Sequence, residues 1–430
     1  MSAYSLAAGL MRTLPEHFMH YDEDFADSYD VIIKFRSAKK LPKMDMIGYD
    51  DPYFVAKLNH RMSYTSAISP NTSEPIWENE EWIIRNIPRN SSLTIKLYNK
   101  DEKKLVDGYI GRFVIPDIVQ YQPPQNGHQI LGALGQPSGR FFLSIQSMAS
   151  SDETKRLPRY TFDGPCRYFR HDSFAVGRLT MLDADCVYST WKIPLGRISV
   201  FFPPYQRQHW NTQYKAAQFI FNRSPSSVLS KSSIKFTHKA LYTRTVEHSE
   251  NGRLNSADDL WKHVFAHKTT KQIKPCIYTY IIDNYTWRFS ETGRQFFADF
   301  ASKHALLANG SEYVRYAGEF HVRPRKGWKN WDPSDATNEN WEIVFDNGSG
   351  TYAPSSDLLK NLKELFLFNF PGLHVATYDF KDPRLKESIE QLKLEMEKYK
   401  LITKNIGQLV NQFRPTVADN QRNKNLNKTI

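Results

Sequence analysis

Two short stretches of this chain concentrate residues able to hold a cation. KMDMIGYDDPYF (43–54) carries Asp45, Asp50 and Asp51, and NKDEKKLVDGYIG (99–111) carries Asn99, Asp101 and Asp107. Carboxylates crowded into loops repel one another, so Asp45, Asp51, Asp101 and Asp107, gathered with the amide of Asn99, call for a neutralising ion. Calcium suits such a set, because it takes six to eight oxygens, tolerates irregular geometry and accepts loop donors. Magnesium wants fewer protein ligands in stricter geometry. The same stretches also carry Met44, Met46, Ile47, Leu105 and Val106. Loops in water have no reason to display them.

A scaffold must bring the two loops to one end, and residues 30–148 supply it. The runs DVIIKFRSA, PYFVAKLN, HRMSYTSA, ENEEWIIR, SSLTIKLYN, IGRFVIP, HQILGAL and GRFFLSIQS follow one another with turns between. Such short, partly alternating runs predict an antiparallel sandwich. The polar SMASSDETKRLP that follows reads as a linker. The expected domains are an N-terminal extension (1–28), the sandwich (29–148), a linker (149–158) and a basic mixed α/β region (159–413). That last region is one domain, or two divided at 330. A polar tail (414–430) is expected to be disordered.

These residues resemble the C2 domain, the calcium- and phospholipid-binding β-sandwich. The resemblance runs from about Asp30 to Ser147. It rests on VIIKFRSAKKLPKMD, the DPYF turn, SEPIWENE in place of the usual Asn-Pro-x-Trp-Asn-Glu, and the LYNKD…DGYIG ending. It implies an eight-stranded Greek-key sandwich. Because the first clear strand enters the first acidic loop, the circularly permuted (type II) topology ending on GRFFLSIQS is expected. The family's calcium ligands fall on Asp45, Asp51, Asn99, Asp101 and Asp107. Asn99 stands where the family usually has a bridging Asp, and Gly108 adds one residue after Asp107. Both departures point to a weak or single-ion site, the alternative being a calcium-blind C2 domain with leftover acidic loops. The oily residues gain a reason too, since loop tips of this family dip into bilayers. Met46 and Ile47 would form one tip, Leu105 and Val106 the other, with Lys103 and Lys104 beside them for anionic headgroups. Parts of the region after 160 look similar to uncharacterised regions of fungal C2-domain proteins, a likeness that supplies no activity.

The charge pattern agrees with an anionic partner. The formal net charge is +11. By segment, residues 1–150 carry −1, residues 151–330 carry +13 and residues 331–430 carry −1. A positive field draws phospholipid, nucleic acid or polyphosphate without choosing among them. Basic and aromatic residues interleave in RYTFDGPCRYFRH and in RPRKGWKNW, where Arg323, Arg325, Lys326, Trp328 and Lys329 form a candidate anion site. Stacking with phosphate pairing is how single strands are held, but the same mixture suits lipid headgroups and arises where strands alternate core aromatics with solvated bases, and nucleic acid is disfavoured.

Three cysteines, Cys166, Cys186 and Cys276, are too few and scattered for a disulfide framework or zinc site. They suit a reducing compartment. The N-terminus has no basic n-region or long apolar core, and no apolar run reaches ~18 residues. A cytoplasmic peripheral membrane protein is the expectation.

Other constellations resolve into structure. GSGTYA (348–353) after WEIVFDN resembles a dinucleotide loop, but Pro354 delays the helix and Asp346 would repel a pyrophosphate. His263 and His267 have zinc-like spacing without the H-E-x-x-H glutamate. SETGRQFFADFASKHALL predicts an amphipathic helix capped by Ser290 or Thr292, with Phe296, Phe297, Phe300, His304 and Leu307 on one face. Asp382 and Pro383 start a long C-terminal helix whose apolar seam runs from Leu385 to Leu409. That seam fits domain packing and leaves a face for a protein partner; oligomeric state stays open. The leading reading is a C2 domain that binds anionic phospholipid, under calcium control or without it, and so targets a mixed α/β region of unknown activity. The alternatives are an enzyme on a phosphorylated or lipid substrate within 160–380, or a nucleic-acid binder using the basic middle.

Overall fold

The computed structural model describes residues 27–44, 50–101, 106–173, 188–222, 224–267 without 243–248, 270–291, 302–332 and 334–412. Side chains of the last helix are described as far as Tyr399.

Eight strands build the first unit: β1 (Ser28–Lys39), β2 (Pro52–Leu58), β3 (Met62–Thr65), β4 (Ile76–Pro88), β5 (Leu93–Asn99), β6 (Gly108–Ile115), β7 (His128–Leu131) and β8 (Pro137–Ala149). They alternate as a half-buried strand must. In β1, Val31, Ile33 and Phe35 point into the core while Lys34 and Arg36 face outward. All pairings among them are antiparallel, in the order β3-β2-β5-β6-β7-β8-β1-β4. The last strand lies beside the first, as the permuted topology requires. Phe35, Phe54, Trp77, Trp82 and Phe141 fill the space between the layers, with Phe54 edge-on to both Trp77 and Phe141.

A ninth strand, β9 (Thr161–Phe162), pairs with β4 and adds the next unit to the edge of the sandwich. The stretch before it is no free tether. Ser151 caps a one-turn helix, Asp152–Lys155, by accepting from the Thr154 N–H. Buried Asn86 of β4 donates its amide to the carbonyls of Lys155 and Leu157. The polarity that reads as a linker thus serves local capping and backbone satisfaction.

Beyond the strap lies a second, eight-stranded sheet. Its strands are β10 (Arg167–Ser173), β11 (Tyr188–Pro194), β13 (Ser249–Arg253), β14 (Ile277–Ile282), β15 (Thr286–Glu291), β17 (Tyr316–Pro324), β18 (Trp341–Asp346) and β19 (Val375–Tyr378). Their order is β13-β10-β11-β15-β14-β17-β18-β19, so one sheet crosses residue 330 without a break. Among the described residues only β18 and β19 run parallel, joined by the helix Leu359–Asn369. Central β14 is buried on both faces: Tyr278, Tyr280 and Ile282 join the main core, and Ile281 joins a cluster with Leu307, Val314 and Tyr352. A small ribbon of β12 (Gln208–His209) and β16 (Tyr313–Val314) sits apart. Helices Lys215–Phe221 and Pro225–Leu241 pack on each other and, with Ala305, enclose Ala217, Ile220, Phe221 and Ile234. The long helix Pro383–Gln412 lays Leu385, Ser388 and Leu392 inward.

Two expectations change here. Ser290 is a buried residue of β15, so it caps no helix; the described helical part of that segment is Lys303–Leu307, capped by Ser302. Thr292, Phe296, Phe297 and Phe300 lie outside the described residues. His263 sits in a π-helical turn, Leu260–Phe265, stacked on Tyr168, and His267 falls beyond that turn, so the two do not share a helix face.

The two units meet through buried charge. Tyr64 donates to Glu80, and Arg167 donates to both. Burial, reinforced by Glu80, pushes the Tyr64 hydroxyl far above its ordinary range. Nearby, Asp163 accepts from Arg85 of β4 at 2.7 Å and from Arg197 of the second unit at 2.6 Å. Among the described residues no helix is long and apolar enough to cross a membrane.

Candidate functional site

The acidic loops meet where the chain passes between β1 and β2 and between β5 and β6. Lys40, at φ +55°, turns the chain out of β1. Buried Asp50 closes the loop by accepting from the Met44 N–H at 3.0 Å. The Met44 methyl then lies over Gly108, where an added Cβ would come within 3.3 Å of it. A Cβ at 108 would need the Met44 methyl to give by a few tenths of an ångström.

The first pairs of the β2–β5 ladder position the remaining groups. Pro52 faces Asn99, and the Asp51 N–H donates to the Asn99 side-chain oxygen at 2.6 Å. Asp51 accepts from the Asn71 N–H at 2.8 Å. The extra residue near Gly108 is absorbed as an irregularity between Leu97 and Tyr98 of the β5–β6 register. Asp107 accepts from the Lys100 ammonium at 2.9 Å on one oxygen and from the Tyr53 hydroxyl at 2.7 Å on the other. Lys100 is itself buried.

These contacts test the fit of calcium. Asn99 has one side-chain oxygen, and it already accepts a backbone N–H. Both oxygens of Asp107 are engaged, one by a cation the chain carries itself. An ion at this place would have to displace Lys100 and Tyr53 and approach the lysine's charge. Among the described residues, no group of three or more His, Cys, Asp or Glu side chains is placed to hold a metal. The described donors do not fit a bound calcium ion at Asn99 and Asp107. Asp101 lies at the loop's edge, partly buried, and Asp45 lies outside the described residues. Sequence reasoning passed over Lys100, although NKD sets a lysine between two candidate ligands.

At the tips, Val106 is 72% exposed. Met46, Ile47, Lys103, Lys104 and Leu105 lie outside the described residues.

The candidate anion site near 323–329 does not converge. Arg323 donates to Glu342 at 2.9 Å and to Ser388 at 3.0 Å, fastening β17 to β18 and to the long helix. Trp328 stands edge-on to Trp331 and Trp341, packed on the main core. Arg325 donates to the Glu339 carbonyl, and Lys326 and Lys329 are exposed. The interleaved aromatics are packing residues. Asp346, after which the glycine loop begins, is buried and accepts the N–H groups of Glu319 and Gly348. Burial, with Glu319 nearby, raises its carboxyl to about 8.

Comparison with known proteins bears on the sandwich. The family model of the C2 domain matches residues 30–130. The chain is similar to the first of the C2 domains of a plant extended synaptotagmin 1 at 18% identity, over 29% of this chain and 98% of that one, with a TM-score of 0.26. It is similar to human GIVD cytosolic phospholipase A2 at 15% identity, over 34% of this chain and 21% of that one, with a TM-score of 0.25. A tandem pair of C2 domains from extended synaptotagmin 2 aligns at 15% identity over 37% of this chain and 60% of that one, with a TM-score of 0.24. The chain thus spans about a fifth of the phospholipase. None of the curated proteins matches it. Antiparallel strand pairing, the placement of the acidic loops and the family model agree that residues 30–130 of this chain are a C2 domain.

Proposed function

We propose that this is a peripheral membrane protein whose C2 domain docks on anionic phospholipid through the loops 40–51 and 100–107, without needing calcium. Docking brings the basic mixed α/β region to the lipid surface. The observation that supports the reading is the described end of the second loop, where Val106 is exposed next to Asp107, whose carboxylate is already paired with Lys100. The tip gives the bilayer apolar surface to bury, at ~1.5–3 kcal/mol for a fully buried aliphatic side chain. The internal ion pair removes the repulsion that calcium would otherwise relieve. Lys103 and Lys104, from the sequence, add about 1 kcal/mol each near an anionic surface.

Sedimentation of the full chain with phosphatidylserine vesicles tests both parts. Binding should be equal in calcium and in chelator, and should fall as salt rises, because exposed charges are screened. Binding only in calcium would overturn the calcium-independent mode. Binding in neither condition would overturn docking itself.

A further inference from the structure

Between residues 186 and 246 the chain has nine lysines and arginines and no aspartate or glutamate. The middle of that run is the helix Pro225–Leu241, started by Pro225 and by Ser224, which accepts from the Ser227 N–H. Its packing is inverted relative to an ordinary surface helix. The inward stripe is Ser227, Ser230, Ile234 and Leu241. The outward face carries Val228, Leu229 and Phe236, which are 62%, 75% and 69% exposed. At 100° per residue these fall within one arc with Ser232, Lys235 and Lys239. Ser232 spends its hydroxyl on the Val228 carbonyl of its own helix. The arc is therefore an apolar strip edged by two exposed lysines, facing solvent.

We propose that this helix is a second membrane-contact face, separate from the C2 loops, which lies in the interface of an anionic bilayer with Val228, Leu229 and Phe236 among the acyl chains. Two observations select lipid as the occupant. Charge complementarity is local: Lys235 and Lys239 stand exposed on the same arc as the apolar strip and the helix itself holds no aspartate or glutamate, while Arg197 and Lys231 of the longer run are paired with Asp163 and Glu312. Of the strip's three apolar side chains only Phe236 offers a ring for a nucleobase to stack on, too few for a stacking platform. Ordinary surface helices hide their apolar stripe, and a strip turned outward beside lysines is the arrangement of an interfacial helix. The inference rests on the reading above only in assuming that the protein meets anionic phospholipid.

The test uses the full chain and vesicles of phosphatidylcholine with or without phosphatidylserine. One variant changes Val228, Leu229 and Phe236 to Ser; another changes Leu105 and Val106 to Ser. An environment-sensitive dye is placed at Leu229→Cys in a Cys186→Ser background, Cys166 and Cys276 being buried. The helix variant should bind phosphatidylserine vesicles about tenfold or more weakly, from the loss of apolar burial. The dye should shift to the blue on those vesicles. Should the helix variant bind like the parent, or the dye keep its aqueous spectrum on vesicles that carry the protein, the inference fails. Normal binding by the loop variant, with loss in the helix variant, would overturn C2 docking while supporting the helix. The reverse pattern would overturn the helix alone. Self-association of the parent that the helix variant abolishes, with vesicle binding unchanged, would assign the strip to a second copy and refute the lipid contact.

Discussion

Replacing Lys100 by Met removes the ammonium while keeping an unbranched side chain of similar length, and so isolates the internal cation. At 2.9 Å from Asp107, in surroundings of effective dielectric near 20, the gross attraction is about 6 kcal/mol. Lys100 is nearly buried and Asp107 about one-fifth exposed, so most of that attraction offsets desolvation. The expected net loss on substitution is about 1–3 kcal/mol, leaving Asp107 with the Tyr53 hydroxyl alone. The unmasked carboxylate, with Asp45, Asp51 and Asp101, then makes a site that attracts calcium. Calcium at tenfold its dissociation constant should restore about 1.4 kcal/mol to the variant and little to the parent. Calorimetric titration reads the binding, and denaturant unfolding with and without calcium reads the recovery. Calcium binding by the parent as tight as by Lys100→Met would refute the argument, because Lys100 would then not be holding the ion's place.

Other outcomes follow from particular contacts. Val106→Ser should weaken vesicle binding several-fold while moving unfolding stability by less than ~0.5 kcal/mol, since an exposed tip contributes little to folding; a large stability loss would make it a core residue. Arg167→Ala strands the buried Glu80 carboxylate and should cost about 3–5 kcal/mol in denaturant unfolding. A cost under ~1 kcal/mol would mean the junction carries no such charge pair. The Asp346 carboxyl, raised from 3.8 to about 8, keeps a proton in the folded chain that the unfolded chain has released. Stability from this group is therefore fully present at low pH and declines as pH rises through about 8. Asp346→Asn retains an acceptor for the Glu319 and Gly348 N–H groups and cannot titrate, so unfolding measured from pH ~5 to ~8 should lose that decline. An unchanged slope would mean Asp346 is ionised in the folded chain.

The sandwich was legible because its strands alternate with period two and its loops carry acids in a family pattern. The fate of those acids was not, since it depends on which way Lys100 turns, a matter of packing against Tyr53 and β6. In the second unit, strands buried on both faces lose their alternation, so Tyr278 to Ile282 indicated a strand but not its place in the middle of a sheet. Trp328 and Arg323 looked like a binding surface because residue types alone do not separate a packed tryptophan from a stacking platform. The helix Pro225–Leu241 left no ordinary amphipathic trace, because serines line its inward face and its apolar residues point out.

The junction between the units has a mechanical consequence. With β9 hydrogen-bonded to β4, and Glu80 and Asp163 gripping arginines across the boundary, the sandwich has no swivel at residue 150. A hinged protein, after its first contact, would sweep a cone and find its second by diffusion. If the chain docks as proposed it arrives in a single attitude, so the tilt at which the C2 tips meet a bilayer also sets the tilt of the eight-stranded sheet. The helix Pro225–Leu241 then reaches the same bilayer only where both faces share a plane. Any other angle would make the molecule a rocker, lifting one contact as it lowers the other.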